Sequence, residues 1–164
     1  MTTKIPYDFL CQRVNLSWHD IQFGIEHQLI SPQVAIDKAM NRLNESGDTS
    51  PDVVELASHS EADPVLELVR RLSASESATS HDVQTKWLYL ILAWLFENQT
   101  SVKDPLGIVE EVYTDFGYPR EIASFVRYMP MVGPDLGSRE QNEARLYARW
   151  ENYLDEARKR FHQT

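Results

Sequence analysis

Cysteine is nearly absent from this chain of 164 residues. Cys11 stands alone, so no internal disulfide can form and a reducing compartment is permitted. Basic side chains are also short: 16 Lys and Arg face 25 Asp and Glu, a net charge of -9. That balance argues against nucleic acid, whose binding needs cationic groups to displace phosphate counterions. It argues equally against an anionic membrane surface. It suits solubility, and it suits a basic protein partner drawn in by long-range attraction. The six glycines are scattered singly, so no phosphate-cradling loop is present. No Gly-x-Ser-x-Gly elbow occurs either. No apolar run approaches the roughly 20 residues that cross a bilayer. The N-terminus, M-T-T-K-I-P-Y-D-F-L, lacks the apolar core of a signal peptide, and a cytoplasmic location is expected. Convincing strand-like alternation is missing throughout, so the expected class is all-α.

What the chain does have is one dense apolar segment. From Trp87 to Phe96, ten consecutive residues are apolar or aromatic. Ser80 can cap the start, and Asp82 sits where the positive helix end attracts an anion. A surface helix shows one apolar stripe, whereas a helix apolar all round must be surrounded by protein. The segment therefore predicts the central buried helix of a compact bundle of about seven to eight helices.

Proline punctuates the rest. Ser31-Pro32, Asp63-Pro64 and Asp104-Pro105 each place a capping side chain before a proline suited to the first helical position. Apolar helical patterns follow: Val34, Ile36, Ala39, Met40 and Leu43; then Val65, Leu66, Leu68, Val69 and Leu72; then Leu106, Ile108, Val109, Val112, Tyr113 and Phe116. The three starts lie 32 and 41 residues apart, which leaves stacked helical hairpins open beside an irregular bundle. Ser17 with Asp20 reads as a short-chain capping box leading Trp18, Ile21, Ile25 and Leu29 along one face. Pro51 and Pro119 open shorter helices. The last helix is amphipathic through Leu146, Tyr147, Trp150, Tyr153, Leu154, Ala157 and Phe161. Its polar face offers i,i+4 pairs Asp155–Lys159 and Glu156–Arg160.

Loops fall at Glu45–Ser50 and at Ser73–Thr79, the latter a polar connector. A single domain spanning residues 1–164 is expected, with 73–80 as the candidate seam. Residues Met129 to Gly137 hold two prolines and two glycines, yet Met129, Met131, Val132 and Leu136 are apolar. An apolar loop ordinarily tucks against the core; the alternative is a binding edge.

No catalytic constellation emerges. His19 and His27 are about two turns apart, roughly 12 Å, too far to share a metal. Glu55 and His59 are i,i+4, near Glu61 and Asp63, but zinc wants three or four convergent ligands. His81 follows a capping serine, and His162 lies near the C-terminus. Cys11, flanked by Phe9, Leu10 and Val14, reads as a small buried hydrophobe. Glu110 and Glu111 are adjacent and do not share one direction as an acid and base pair would. No catalytic residue, cofactor or metal ligand is assigned.

Five segments carry a resemblance. They are Leu16-Ser17-Trp18-His19-Asp20-Ile21-Gln22-Phe23-Gly24-Ile25, Leu29-Ile30-Ser31-Pro32, Trp87-Leu88-Tyr89, Asp115-Phe116-Gly117-Tyr118-Pro119 and Phe125-Val126-Arg127-Tyr128-Met129-Pro130. In these the chain is similar to the bacterial domain of unknown function 2247 family. The resemblance implies no functional residues. Small acidic bacterial proteins of this kind resemble immunity proteins, which neutralise a toxin domain; that step is analogy. The leading expectation is thus a protein-binding module with a basic partner. The alternative is an enzyme or small-ligand domain assembled from distant His, Asp and Glu residues. For the first, Asp104, Glu110, Glu111 and Asp115 are the expected partner-binding residues, because they spread along one helix with only Lys103 basic nearby.

Overall fold

The computed structural model describes residues 4–60, 62–76 and 80–161, with the side chains of Ser80 and His81 left aside. Among these residues the chain is all-α. Its helices are α1 (Tyr7–Arg13), α2 (Trp18–Glu26), α3 (Gln33–Glu45), α4 (Pro51–Ala57), α5 (Leu66–Ala74), α6 (Ser80–Glu97), α7 (Pro105–Asp115) and α8 (Arg139–Phe161). Two short 3-10 segments lie at Gln99–Ser101 and Arg120–Phe125. No helix among the described residues is long and apolar enough to cross a membrane. The expected Ser80 cap, Glu61, His162 and residues 77–79 of the candidate seam lie outside the described residues, as does the His81 side chain. The chain divides into two units, Met1–Trp87 and Leu88–Thr164.

In the first unit, α3 packs on α4, α4 on α5, and α5 on α2. The start of α2 organises it. The Ser17 amide donates to Asp20 Oδ2 at 2.8 Å, and the Asp20 amide donates to Ser17 Oγ at 3.1 Å. This is the reciprocal capping box that the spacing predicts. Two further first-turn amides, of Trp18 and His19, donate to the Glu76 carboxylate at 3.1 and 3.0 Å. A helix start leaves four such donors without partners of its own, so Glu76 completes the cap from 57 residues away.

Asp20 is fully buried, and Lys86 Nζ donates to its Oδ2 at 2.7 Å. The Trp87 indole N–H donates to the Asp20 carbonyl at 2.8 Å. One turn on, Gly24 gives Trp87 room, since a Cβ there would lie 2.6 Å from Trp87 Cζ2 and 2.8 Å from Ile30 Cδ1. Helix α2 then ends at Glu26, short of the Leu29 that the apolar pattern assigned to its face. Gln28 adopts a left-handed φ of 59°, and the Leu29 amide donates to the Gly24 carbonyl at 2.8 Å. That is a Schellman ending with glutamine where glycine is usual. It turns Leu29 off the helix.

The proline-marked starts divide. Pro51 and Pro105 are first helical residues. Pro32 and Pro64 instead precede α3 and α5, whose first residues are Gln33 and Leu66. Asp63 caps backward, accepting from the Ser60 amide at 2.9 Å. Proline's fixed φ suits a turn before a helix as well as its first residue. Met40, expected on the buried face of α3, is 46% exposed.

In the second unit, the apolar run is buried from Leu88 to Ala93 and at Leu95, with Trp94 and Phe96 half-buried. Trp87, the last residue of the first unit, is buried as well. Helix α7 ends in a second Schellman motif. Gly117 has φ 75°, and the Tyr118 amide donates to the Tyr113 carbonyl at 2.8 Å. Helix α8 lays its aromatic stripe on its own unit. Trp150 is fully buried and packs edge-on to Phe96 at 5.1 Å and stacked with Phe125 at 6.2 Å. The ion pairs on its polar face run three apart, Arg158–Asp155 and Lys159–Glu156, each at 3.6 Å, rather than the expected four.

Two substitutions test this packing. Leu92→Asp puts a charge at a position with no exposure. It should cost several kcal/mol and unfold the protein, and a melting curve like that of the unaltered chain would contradict the burial. Gly24→Ala should lower stability by about 1–3 kcal/mol, because a methyl group must displace the Trp87 ring. Urea titration measures it, and an unchanged midpoint would contradict the close approach.

Candidate functional site

Helix α7 carries the four expected partner-binding acids, and the structure brings them to one place. Asp104, Glu110, Glu111 and Asp115 all line an open groove of about 770 Å³ along α7, together with Lys103, Arg127 and Tyr128. Glu111 and Asp115 are exposed, and their carboxylates make no hydrogen bond or ion pair among the described residues.

Asp104 and Glu110 are differently placed. Asp104 occupies the N-cap position of α7 but makes no side-chain cap hydrogen bond. Its carboxylate faces Arg127 instead, whose Nη1 and Nη2 donate at 3.1 and 3.0 Å. Arg127 Nε donates to Glu110 Oε1 at 2.9 Å. A third carboxylate, Glu143 on α8, lies 3.6 Å from Arg127 Nη1 and also 3.7 Å from Arg139. The expectation that only Lys103 is basic near these acids is therefore corrected. A loop arginine reaches the helix from 23 and 17 residues away. The bidentate fork fits a planar guanidinium against a carboxylate. The Arg127 hydrogen bonds hold the Asp104 carboxyl below its ordinary value, and they raise the guanidinium pKa.

Beside this network lies a cavity of about 530 Å³ between the segment from Ser124 to Ser138 and the first half of α8. Arg127, Arg139, Arg145 and Arg149 line it, with Met129, Met131, Val132 and Leu146. The loop does not tuck inward as an apolar loop is expected to. Met131, Val132 and Leu136 are 53, 55 and 42% exposed. Its backbone is held from α8 instead. Arg145 Nη1 donates to the Pro134 carbonyl at 2.7 Å, and Arg149 Nη2 donates to the Val132 carbonyl at 2.6 Å. Asp135 accepts from the Gly137 amide and the Asn142 side chain, and these bonds lower its pKa. Arg145 and Arg149 escaped the sequence reading. Their signal was the i,i+4 spacing of two arginines on the helix that follows an apolar loop.

The remaining candidates are committed to structure. His19 Nδ1 lies 2.9 Å from Glu76 Oε1. His27 closes α2, with its Nδ1 2.9 Å from the Phe23 carbonyl and its ring stacked on Phe23 at 3.9 Å. His59 Nδ1 lies 2.8 Å from the Glu55 carbonyl, while the Glu55 carboxylate faces Arg71 at 3.7 Å. Cys11 is exposed rather than buried, because it falls on the outer side of α1 behind Leu10. Partial desolvation beside Tyr7 nevertheless raises its thiol pKa, the wrong direction for a nucleophile at neutral pH. Among the described residues no group of three or more His, Cys, Asp or Glu side chains is placed to hold a metal ion.

These features define a small all-α protein whose charged side chains gather on a groove and a cavity of one unit. The chain belongs to the family described as "Uncharacterized protein conserved in bacteria (DUF2247)", whose model matches residues 7–158. No curated protein matches the chain, and no solved structure does.

Arg127→Gln should lower stability by on the order of 1 kcal/mol, the scale of a partly exposed charge network. The sign of its pH dependence follows from Asp104. A depressed carboxyl pKa gives stability that is present above the ordinary carboxylate value and lost as pH falls through the lowered one. Thermal melts of Arg127→Gln should therefore show less loss in acid than the unaltered protein. Parallel acid profiles for the two proteins would contradict the network.

Proposed function

We propose that this protein is a protein-binding module that receives a basic partner along the α7 groove. The observation that supports it most is the pair Glu111 and Asp115: two exposed carboxylates, one helical turn apart, in a groove whose other two acids are already held by Arg127. Exposed acids without partners create an attractive field at little cost to the fold, which is the arrangement that speeds association with a basic surface. Arg127 keeps Asp104 and Glu110 in fixed positions along the groove. A partner lysine or arginine then meets two preorganised carboxylates beside the two free ones. In a bacterium such a module would serve as an immunity protein covering a basic toxin domain, and the net charge of -9 supports that choice of partner.

The test is kinetic. With the partner captured from the native bacterium and purified, its on-rate should fall about tenfold or more between low and high salt. Glu111→Lys combined with Asp115→Lys should slow association strongly and leave the melting temperature nearly unchanged. A partner whose on-rate ignores both salt and charge reversal would defeat the reading, as would the failure of any protein to bind.

A further inference from the structure

The cavity beside α8 presents an electrostatic problem that its own residues leave unsolved. Of its four arginines, Arg127 and Arg139 face carboxylates. Arg145 and Arg149 do not. Among the described residues their guanidinium groups meet only neutral main-chain carbonyls, Pro134 for Arg145, and Ser124 and Val132 for Arg149. No carboxylate comes within ion-pair distance of either. Asp135 lines the same cavity; its carboxylate is bonded by Gly137 and Asn142 and feels the charge of Arg145, but from beyond ion-pair distance.

The two cations also converge. A Cβ placed on Gly133 would lie 3.2 Å from Arg145 Nη1 and 3.5 Å from Arg149 Nη2, so these nitrogens are no farther apart than the sum of those distances. Gly133 has φ 94°, a left-handed backbone that glycine adopts without strain, and a side chain there would crowd Arg145, so the two guanidinium groups close on the backbone at the carbonyls of its two neighbours. The Nε of Arg145 is buried with no acceptor, so this cation is not fully satisfied by the carbonyl it grips. Like charges this near repel, and an oxyanion in the cavity within reach of both turns the repulsion into charge-assisted contacts. Planar guanidinium forks match carboxylate and phosphate oxygens geometrically.

The same cavity offers an apolar wall. Met129, Met131, Val132 and Leu146 line it, and Met131 and Val132 are more than half exposed. Methionine is adaptable and accepts irregular apolar shapes. A volume of about 530 Å³ lies in the range of small-molecule sites.

We propose that this cavity binds a small organic oxyanion, a carboxylate or phosphate carried on an apolar body. The anion is held by Arg145 and Arg149 where they line the cavity, and the apolar body lies against Met129, Met131 and Leu146. This site adjoins the α7 groove through Arg127 but draws on Arg145 and Arg149 and is opposite to the groove in charge preference, so either can fail without the other.

The experiment is a titration of the full chain, followed by amide chemical shifts and by calorimetry. The probes are phenyl phosphate, 3-phenylpropionate, inorganic phosphate and the neutral 3-phenylpropanol. Phenyl phosphate or 3-phenylpropionate should saturate below about 1 mM, with shifts confined to residues 129–138 and 142–149; inorganic phosphate should bind about tenfold more weakly and the alcohol more weakly still. Arg149→Gln should weaken the aromatic anions about tenfold or more. Because Arg149 also holds the loop, Met131→Ser provides a second variant at an exposed side chain. It should weaken phenyl phosphate several-fold and leave inorganic phosphate unchanged. The proposal is overturned if neither aromatic anion saturates, if the alcohol binds as well as they do, if the shifts fall elsewhere, or if Met131→Ser leaves phenyl phosphate affinity unchanged.

Discussion

A buried carboxylate decides much of this structure. Asp20 is fully buried at the start of α2, and a lone charge there would be costly. The cost is offset because Oδ2 accepts from both the Ser17 amide and Lys86. That one requirement fixes the first turn of α2 to the first half of α6. The neighbouring Trp87 indole completes the attachment by donating to the Asp20 carbonyl. Gly24 then leaves the Trp87 ring the room it occupies, which a side chain there would take. Glu76 closes the remaining amides. The segment from Leu16 to Ile25, the longest of those that carry the family resemblance, is thus occupied with architecture. Its histidine and its carboxylate have structural partners.

The second unit solves its charge problem differently. Arg127 gathers Asp104, Glu110 and Glu143 around one partly exposed guanidinium, so carboxylates from α7 and α8 share a single cation. What this network leaves over is informative. Among the described residues Glu111 and Asp115 have no ion-pair partner, and neither do Arg145 and Arg149. Charges that a fold does not neutralise internally are the ones available to ligands and partners.

The parts that could be read from the sequence are those set by local physics. The run from Trp87 to Phe96 needs no neighbour to announce burial. The Ser17 and Asp20 box forms within three residues, and the α8 stripe is a repeat at three and four. What escaped depends on groups far apart in the chain. Asp104 looks like a cap for Pro105 until Arg127 arrives from 23 residues on and takes its carboxylate. Asp63 looks like a cap for the next helix, but the turn before it competes and wins at Ser60. The exposure of Met131 and Val132 follows from main-chain carbonyls gripped by Arg145 and Arg149, which no hydropathy pattern records. Leu29 left its expected face because Gln28 accepts a left-handed backbone usually reserved for glycine.

Two roles separate along the chain: the polar residues of α2 hold the fold, and the surfaces proposed for binding lie in Leu88–Thr164. Native-state hydrogen exchange of the protein alone tests this directly. The amides of Trp18 and His19, bonded to Glu76, and the indole N–H of Trp87, bonded to Asp20, should exchange only with global unfolding. The amides from Met131 to Gly133, on an exposed loop, should exchange orders of magnitude faster. Rapid exchange at Trp18, His19 and the Trp87 indole, on the timescale of that loop, would show that the α2 network is not the scaffold and would contradict the account.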